Sequence, residues 1–423
     1  MILLSRLKAL AAWVSVQVCL LGMLFLIGCA SADVRHFRDG LSLAKHDKPD
    51  EAIQAYMTAL EANPALVEAR LNLGTVLYKQ GRLTQAEREF RIVLSQDPEH
   101  AVARENLATT LEAKGSADEE AYQQWRMAMV TETRPEWKAN GKQAIERLEE
   151  KLRAAAAQDV GLPLSDVDTT LPKFAVIPRP NDIALVIGIE RYQKLIPARH
   201  ACADAEQVAN YLRALGYAPR NVEVLLNERA TQAAIRLALE RWVPDHVRAD
   251  SRVLIYYSGH GSVNPATGET YLVPHDGDPA YLLSTAYPTK MLYTKLADLN
   301  ARQVVVALDS CFSGQGGRSV IMEGVRPAVA KIEDPVLASR NLVVLAAAEG
   351  NQISTISKTK PHGLFTYYWL KALLAGHQDL AAIYDYVSPK VQDEAKLQNV
   401  QQVPSLRPGS DQIRGKFTLW DKQ

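Results

Sequence analysis

Hydrophobic positions along the chain change their period several times. From Ala9 to Gly28 they form one uncharged apolar run, preceded by Arg6 and Lys8. Beyond it, residues recur at an offset of 34: Gly40 returns as Gly74, Ala52 as Ala86, Tyr56 as Phe90, Leu60 as Leu94, Pro64 as Pro98 and Gly81 as Gly115. Small residues at fixed points let two helices of a hairpin approach, an aromatic fills the gap between them, and proline closes the second helix. Two units are clear, about 33–66 and 67–100; a third begins near Ala101 and loses the pattern after Gly115. The periodicity predicts a further helix over Lys138–Ala157, capping a stack that buries little by itself. Pro163, Pro172, Pro178 and Pro180 then fall within 161–181 without any helical or strand period, which reads as an extended linker.

From Asp182 onward the pattern alternates. Unbroken apolar runs at Ile183–Ile189, Val222–Leu226, Val253–Tyr257, Val304–Leu308 and Leu342–Ala346 predict strands, with Phe417–Trp420 as a last one; helices are predicted over Ala203–Leu215 and Thr231–Trp242. Continuous rather than alternating strands imply burial on both faces. The expected fold is therefore α/β, a mainly parallel sheet with helices on both faces, preceded by an all-α repeat region. The expected boundaries are 1–28 for a leader, 33–134 for the repeats, 135–181 for helix and linker, and 182–423 for the α/β domain.

The 34-residue units resemble tetratricopeptide repeats. That resemblance implies a groove that recruits a protein partner, with a plain helical spacer as the other reading. At the N-terminus, a basic flank, an apolar run and a small-residue end describe a secretory signal. Leu26-Ile27-Gly28-Cys29 resembles a bacterial lipobox, which would make Cys29 the lipidated first residue of the mature chain. The alternative is an uncleaved membrane helix, since about 20 apolar residues span a bilayer. Both send the rest of the chain across the inner membrane. Ala30 and Ser31 resemble the outer-membrane sorting pattern, so a periplasm-facing, lipid-anchored protein is expected, on the outer rather than the inner membrane where the host has two.

Charge narrows the partners. Forty-eight basic residues balance forty-eight acidic ones, and cleavage would remove Arg6 and Lys8 and leave the mature chain slightly negative. Such a chain has no net field for a phosphate backbone, so nucleic acid is not expected as a partner. Four cysteines in 423 residues are too few for a disulfide scaffold.

Two strand ends carry candidate chemistry. One runs into Tyr256-Tyr257-Ser258-Gly259-His260-Gly261 and the other into Asp309-Ser310-Cys311-Phe312-Ser313-Gly314. In parallel sheets reactive groups gather beyond the carboxyl ends of the strands. An imidazole beside a thiol raises its thiolate fraction and later protonates the leaving amine. The flanking glycines let backbone N–H groups approach an oxyanion, and those of Gly261 and Cys311 are the candidate donors.

This pair of motifs resembles the caspase and metacaspase cysteine peptidases of the caspase-haemoglobinase fold, over about 182–423. The spacing from His260 to Cys311 is 51 residues, against about 50 in caspases. Ile187-Gly188-Ile189, Cys202-Ala203-Asp204-Ala205, His362-Gly363-Leu364-Phe365-Thr366 and Gln402-Val403-Pro404 match further family segments. The resemblance implies a His260/Cys311 dyad. It also implies a substrate pocket lined by Asp204, Ser258 and Asp309 as in metacaspases, with cleavage after Arg or Lys.

Some residues depart from the metacaspase pattern. Phe312 stands where a histidine is usual. Arg199 falls within one residue of a caspase pocket arginine and could neutralise the carboxylates. Asp276 and Asp278 are candidates for the metacaspase calcium site, but Arg318 occupies an expected acidic position, so no cofactor is expected and calcium is only a weak alternative. A zinc site from His200, Cys202 and His275 lacks a fourth ligand at a recognisable spacing. Cys202 is a candidate redox partner for Cys311 in an oxidising periplasm. Arg318, Arg326 and Lys331 are candidate self-cleavage positions, although a plain surface loop is the preferred reading.

Two functions follow as expectations. The leading one is an envelope-tethered cysteine endopeptidase acting on a peptide or protein substrate, its repeats recruiting a partner. The other is a catalytically silent caspase-like scaffold lipoprotein.

Overall fold

The computed structural model describes residues 32–115, 117–132, 134–157, 163–264, 266–312, 319–320, 339–349, 352, 354–398 and 400–423. The leader 1–28 and the lipidation candidate Cys29 lie outside these, as do Ser313, Gly314, Arg318, Arg326 and Lys331. Among the described residues, no helix is long and apolar enough to cross a membrane.

The chain divides into two compact units, one up to residue 116 and one from 117 to 423. The first is helical: α1 (Ala32–Lys45), α2 (Pro49–Ala62), α3 (Val67–Lys79), α4 (Leu83–Gln96) and α5 (Ala101–Lys114). The 34-residue period has a direct steric meaning. A methyl group on Gly40 would lie 2.6 Å from the Tyr56 ring, and one on Gly74 would lie 2.6 Å from Phe90. Each aromatic therefore fills the space its glycine leaves, and both rings are fully buried. The Gly115 C-cap adopts a left-handed conformation (φ 66°), which ends α5.

The second unit starts with α6 (Asp118–Thr131) and α7 (Pro135–Ala157). The compact division thus puts α6 with the downstream unit rather than with the repeats that precede it. Next comes α8 (Asp166–Thr169), within the proline-rich stretch. That stretch is extended as expected but it is not a free linker. Val167 is buried in the core, Phe174 stacks on Trp420 with centroids 5.0 Å apart, and Val176 bridges to Lys422. Proline blocks regular structure here while the apolar side chains between the prolines still bury.

The main sheet holds β1 (Ile183–Gly188), β2 (Val222–Leu226), β3 (Arg252–Ser258), β7 (Gln303–Asp309), β9 (Leu342–Ala346) and β10 (Ser405–Arg407), in the order β10-β9-β7-β3-β1-β2. The first five are parallel and only β10 is antiparallel. A second sheet is built from β4 (Gly261–Val263), β5 (Thr270–Leu272), β6 (Tyr287–Pro288) and β8 (Ser319–Val320). The segment Phe417–Trp420 is not the expected last strand. It makes a single bridge, Thr418 to Asp379, and its Phe417, Leu419 and Trp420 plug the core instead.

Every residue of β1, β3 and β7 is buried. Successive side chains point to opposite faces. Val186, Leu254, Tyr256, Val305 and Ala307 pack with α9 (Ala201–Ala214), α11 (Leu364–Leu374) and α12 (Leu380–Leu397). Leu185, Ile187, Ile255, Tyr257, Val306 and Leu308 pack with the opposite layer, which includes α10 (Thr289–Ala297) and the helical stretch 232–246. This double covering explains the continuous apolar runs, and it brings the carboxyl ends of β1, β3 and β7 out at one edge.

Candidate active site

β3 and β7 are hydrogen-bonded neighbours in register, with Ser258 opposite Asp309. Two residues further along each strand end stand His260 and Cys311, so both leave adjacent strands, about 4.8 Å apart, at the same level. One residue on, the approach is direct. A methyl on Gly261 would stand 2.5 Å from the Cys311 carbonyl oxygen and 2.6 Å from Ser310 Oγ, so only glycine fits.

His260 is fully buried and its backbone is clamped on both sides. Its N–H donates to the Tyr192 hydroxyl at 2.7 Å; its carbonyl accepts from the Tyr257 hydroxyl at 2.6 Å and from Val273 N–H at 3.1 Å. The ring is fixed by the backbone carbonyl of Ile196, 2.8 Å from Nε2. A carbonyl only accepts, so Nε2 carries a proton and Nδ1 is the basic nitrogen of the neutral ring. Such an orienting partner is what an imidazole base requires. A backbone carbonyl has no side-chain signature, so sequence could not have named Ile196.

Cys311 is also buried, and its Sγ donates to the carbonyl of Gln352 at 3.1 Å. Gln352 is itself anchored, its Oε1 accepting from Val403 N–H at 2.6 Å. Gln402 accepts from Thr355 N–H and donates to the Ala347 carbonyl, both at 3.0 Å. The Gln402-Val403 pair thus holds the segment lying against the thiol.

Asp204, Ser258 and Asp309 come together beneath these strand ends. The Ser258 hydroxyl donates to Asp204 Oδ2 at 3.2 Å, and Ser258 is the register neighbour of Asp309. Both carboxylates are internal rather than lining an open pocket. Asp204 accepts from His362 Nδ1 at 2.8 Å and from Gly363 N–H at 3.2 Å. Asp309 accepts from Ser354 Oγ at 2.7 Å and from Thr366 Oγ1 at 2.6 Å. His362-Gly363 and Thr366 belong to one segment that opens α11, so the motif His362–Thr366 supplies donors to both acids, alongside Ser258 and Ser354.

The remaining candidates sit elsewhere. Arg199 pairs with Glu119 of α6 at 3.8 Å. Asp276 accepts from the Gln232 N–H at the start of the helical stretch, 2.8 Å away. Asp278 pairs with Lys194, whose hydrogen bond holds its carboxyl below the usual range. Among the described residues, no group of three or more His, Cys, Asp or Glu side chains could hold a metal ion. Phe312 is half-buried against the β-sheet core. Cys202 Sγ faces the Gly188 carbonyl at 3.5 Å, not Cys311, and burial pushes its pKa up to about 12.

Comparison with known proteins identifies the family of the α/β domain. The protein-family model for the caspase domain matches residues 181–411, more than half of the chain. The chain belongs to the caspase-domain family. A tetratricopeptide-repeat model matches residues 43–103, N-terminal to the caspase domain. Among curated proteins, the Caenorhabditis elegans protein O-mannosyl-transferase F38B6.6 is 35% identical over 72 residues, 17% of this chain. The chain spans about a tenth of the length of that relative. Similar solved structures include the Arabidopsis OM64 TPR domain, 21% identical with a TM-score of 0.26, covering 28% of this chain and 96% of that one. The TPR protein YrrB is 28% identical with a TM-score of 0.25, over 27% and 59% of the two chains.

Sequence reasoning missed Tyr192, Ile196 and Asp168, and also Gln352 and Ser354, which contact Cys311 and Asp309. Tyr192 and Ile196 lie in an irregular segment without a motif. Asp168, which contacts His362, was hidden in the supposed linker, although Ser165-x-x-Asp168 is a legible capping box.

Proposed function

We propose that the caspase domain is a cysteine endopeptidase in which Cys311 is the nucleophile and His260 the general acid–base. The observation that carries this reading is the in-register departure of the two residues from adjacent parallel strands, with the His260 ring oriented by the Ile196 carbonyl. In the reaction the Cys311 proton leaves its bond to Gln352 O and passes to His260 Nδ1. The thiolate adds to the scissile carbonyl, and the oxyanion is met by the Gly261 and Cys311 N–H groups. His260 then protonates the leaving amine, and water, deprotonated by the same imidazole, releases the acyl group and restores the thiol.

The substrate class proposed is a peptide cleaved after Arg or Lys. Asp204 and Asp168 flank the His362 imidazole, and Asp309 is held by Thr366 of the same segment, so the region carries more acidic than basic groups and favours a further cation over an anionic aspartate side chain. Tethering to the cell envelope through a lipidated Cys29, and recruitment of a protein partner by the repeats, complete the proposal.

One observation favours the second reading, a catalytically silent scaffold: the thiol is buried and engaged by the Gln352 carbonyl. A panel of fluorogenic peptides with Arg, Lys, Asp or Leu before the scissile bond separates the two, using residues 30–423 with and without calcium. Turnover of the arginyl and lysyl peptides that disappears in Cys311→Ala supports the enzyme. An inert wild type under every condition supports the scaffold.

A further inference from the structure

His362 is buried with a carboxylate at each ring nitrogen. Nδ1 is 2.8 Å from Asp204 Oδ1 and Nε2 is 2.8 Å from Asp168 Oδ1. Carboxylates facing both nitrogens require both to be donors, so the ring is an imidazolium. Burial by itself opposes that charge, but the two acids outweigh it and the His362 pKa is raised.

Asp168 is built in rather than incidental. Its Oδ2 accepts from both the N–H and the hydroxyl of Ser165, each at 2.7 Å, the capping box of α8. α8 in turn is gripped by its neighbours. The Val167 carbonyl accepts from the Tyr211 hydroxyl of α9 at 3.0 Å, and Asp166 accepts from the Tyr367 hydroxyl of α11 at 3.0 Å and pairs with Lys371. The charged groups packed around His362 are accordingly Asp168 from α8, with Asp166 already paired, Asp204 from α9, and the Lys360–Glu394 pair beside its own loop. All of α8 lies before residue 181, where the caspase-family match begins.

We propose that Asp168 is a specificity-positioning residue, which shares the His362 cation with Asp204 and so leaves the buried cluster with a net negative charge, whose field favours a basic substrate side chain although neither acid lines an open pocket. This deepens the arginyl/lysyl reading above and rests on it. If Asp168 lost its charge while the ring stayed protonated, the imidazolium would pair with Asp204 alone and cancel it. If the ring then deprotonated, Asp204 would be uncovered again. The Asp168→Asn variant therefore has a pH signature that mere loosening of α8 does not produce.

The test uses the mature chain, Asp168→Asn and, to assign the resonance, His362→Gln. The titration midpoint of the His362 ring, followed by its carbon-bound proton in NMR, needs no turnover and is expected to fall in Asp168→Asn. Below that new midpoint, KM for an arginyl peptide is expected to rise roughly three- to tenfold, the size of losing one nearby charge. The effect on KM for a leucyl peptide should be below about twofold, and the arginyl KM should recover above the midpoint. An unchanged midpoint overturns the proposal, as does a rise in KM that is equal for both peptides or independent of pH. A wild type that turns over peptides without preferring arginine overturns the specificity reading itself, whatever the midpoint does. Arginine preference that persists unaltered in Asp168→Asn overturns only the role given to Asp168.

Discussion

The rings of Tyr192 and His260 lie 4.7 Å apart, centroid to centroid, and the Tyr192 hydroxyl accepts the His260 backbone N–H at 2.7 Å. A methyl on Gly259 would stand 2.6 Å from that same hydroxyl, so the tyrosine, the glycine and the histidine are packed as one unit. Tyr192 thus fixes the backbone of the residue whose ring Ile196 orients.

Tyr192→Phe removes the acceptor and leaves a buried amide unsatisfied, a cost of about 1–3 kcal/mol. The expected outcome is a lower unfolding midpoint in urea together with a fall in kcat of roughly tenfold, since misplacing a catalytic group acts mainly on the chemical step. A variant with wild-type kcat would mean that the Ile196 contact alone positions the imidazole.

His260 and Cys311 leave adjacent strands at the same level, and the proposed reaction needs both for every proton transfer. Residues acting as one unit are not additive. Cys311→Ala and His260→Ala should each abolish turnover above background by several orders of magnitude, and the double variant should be no worse than either. Turnover that survives Cys311→Ala, or a double variant lower by the product of the two losses, would refute the pairing.

Much of this site was legible in the sequence because its residues sit at the ends of unbroken apolar strands. β2 and β9 occupy Val222–Leu226 and Leu342–Ala346, the spans expected from their apolar runs, and β1, β3 and β7 differ from expectation by a residue at one or both ends. Two fully covered faces leave nothing but apolar residues between the turns. What failed has a physical reason in each case. Phe417–Trp420 has the composition of a strand, yet Phe417, Leu419 and Trp420 are all buried while the chain makes only one bridge, so packing and not pairing accounts for its apolar character. The proline-rich 163–181 looked like a linker because proline silences periodicity, whereas Val167 and Phe174 tie it to the domain by burial. The engagement of Asp204 by His362, 158 positions away, is a tertiary fact with no local trace.

The repeat unit offers a prediction independent of catalysis. Phe90 is fully buried against the space left by Gly74, 2.6 Å from where a methyl would stand. Gly74→Ala should destabilise the helical repeats by about 1–3 kcal/mol through overpacking. Phe90→Leu, costly by itself, should restore part of that loss when combined with Gly74→Ala, a coupling of at least about 0.5 kcal/mol in a double-mutant cycle. Strictly additive unfolding midpoints in circular dichroism would contradict the glycine–aromatic account of the 34-residue period.

The Asp168–His362–Asp204 arrangement also bears on stability, and its sign is fixed by the direction of the His362 shift. The folded protein binds the ring proton more tightly than the unfolded chain, whose histidine titrates near 6.5. This contribution is therefore complete below about pH 6.5 and is lost as pH rises through the raised folded value, because the folded state releases its proton later than the unfolded one. Carboxylates with lowered values, such as Glu87 and Glu394, act the other way and lose their contribution only as the solution becomes acidic. Urea unfolding midpoints of the wild type should thus decline from pH 6.5 upward. In His362→Gln that decline should flatten, and the variant should be most handicapped relative to the wild type at the acidic end of the range. A wild-type profile parallel to that of His362→Gln across this window would show that the two acids do not hold the imidazole charged.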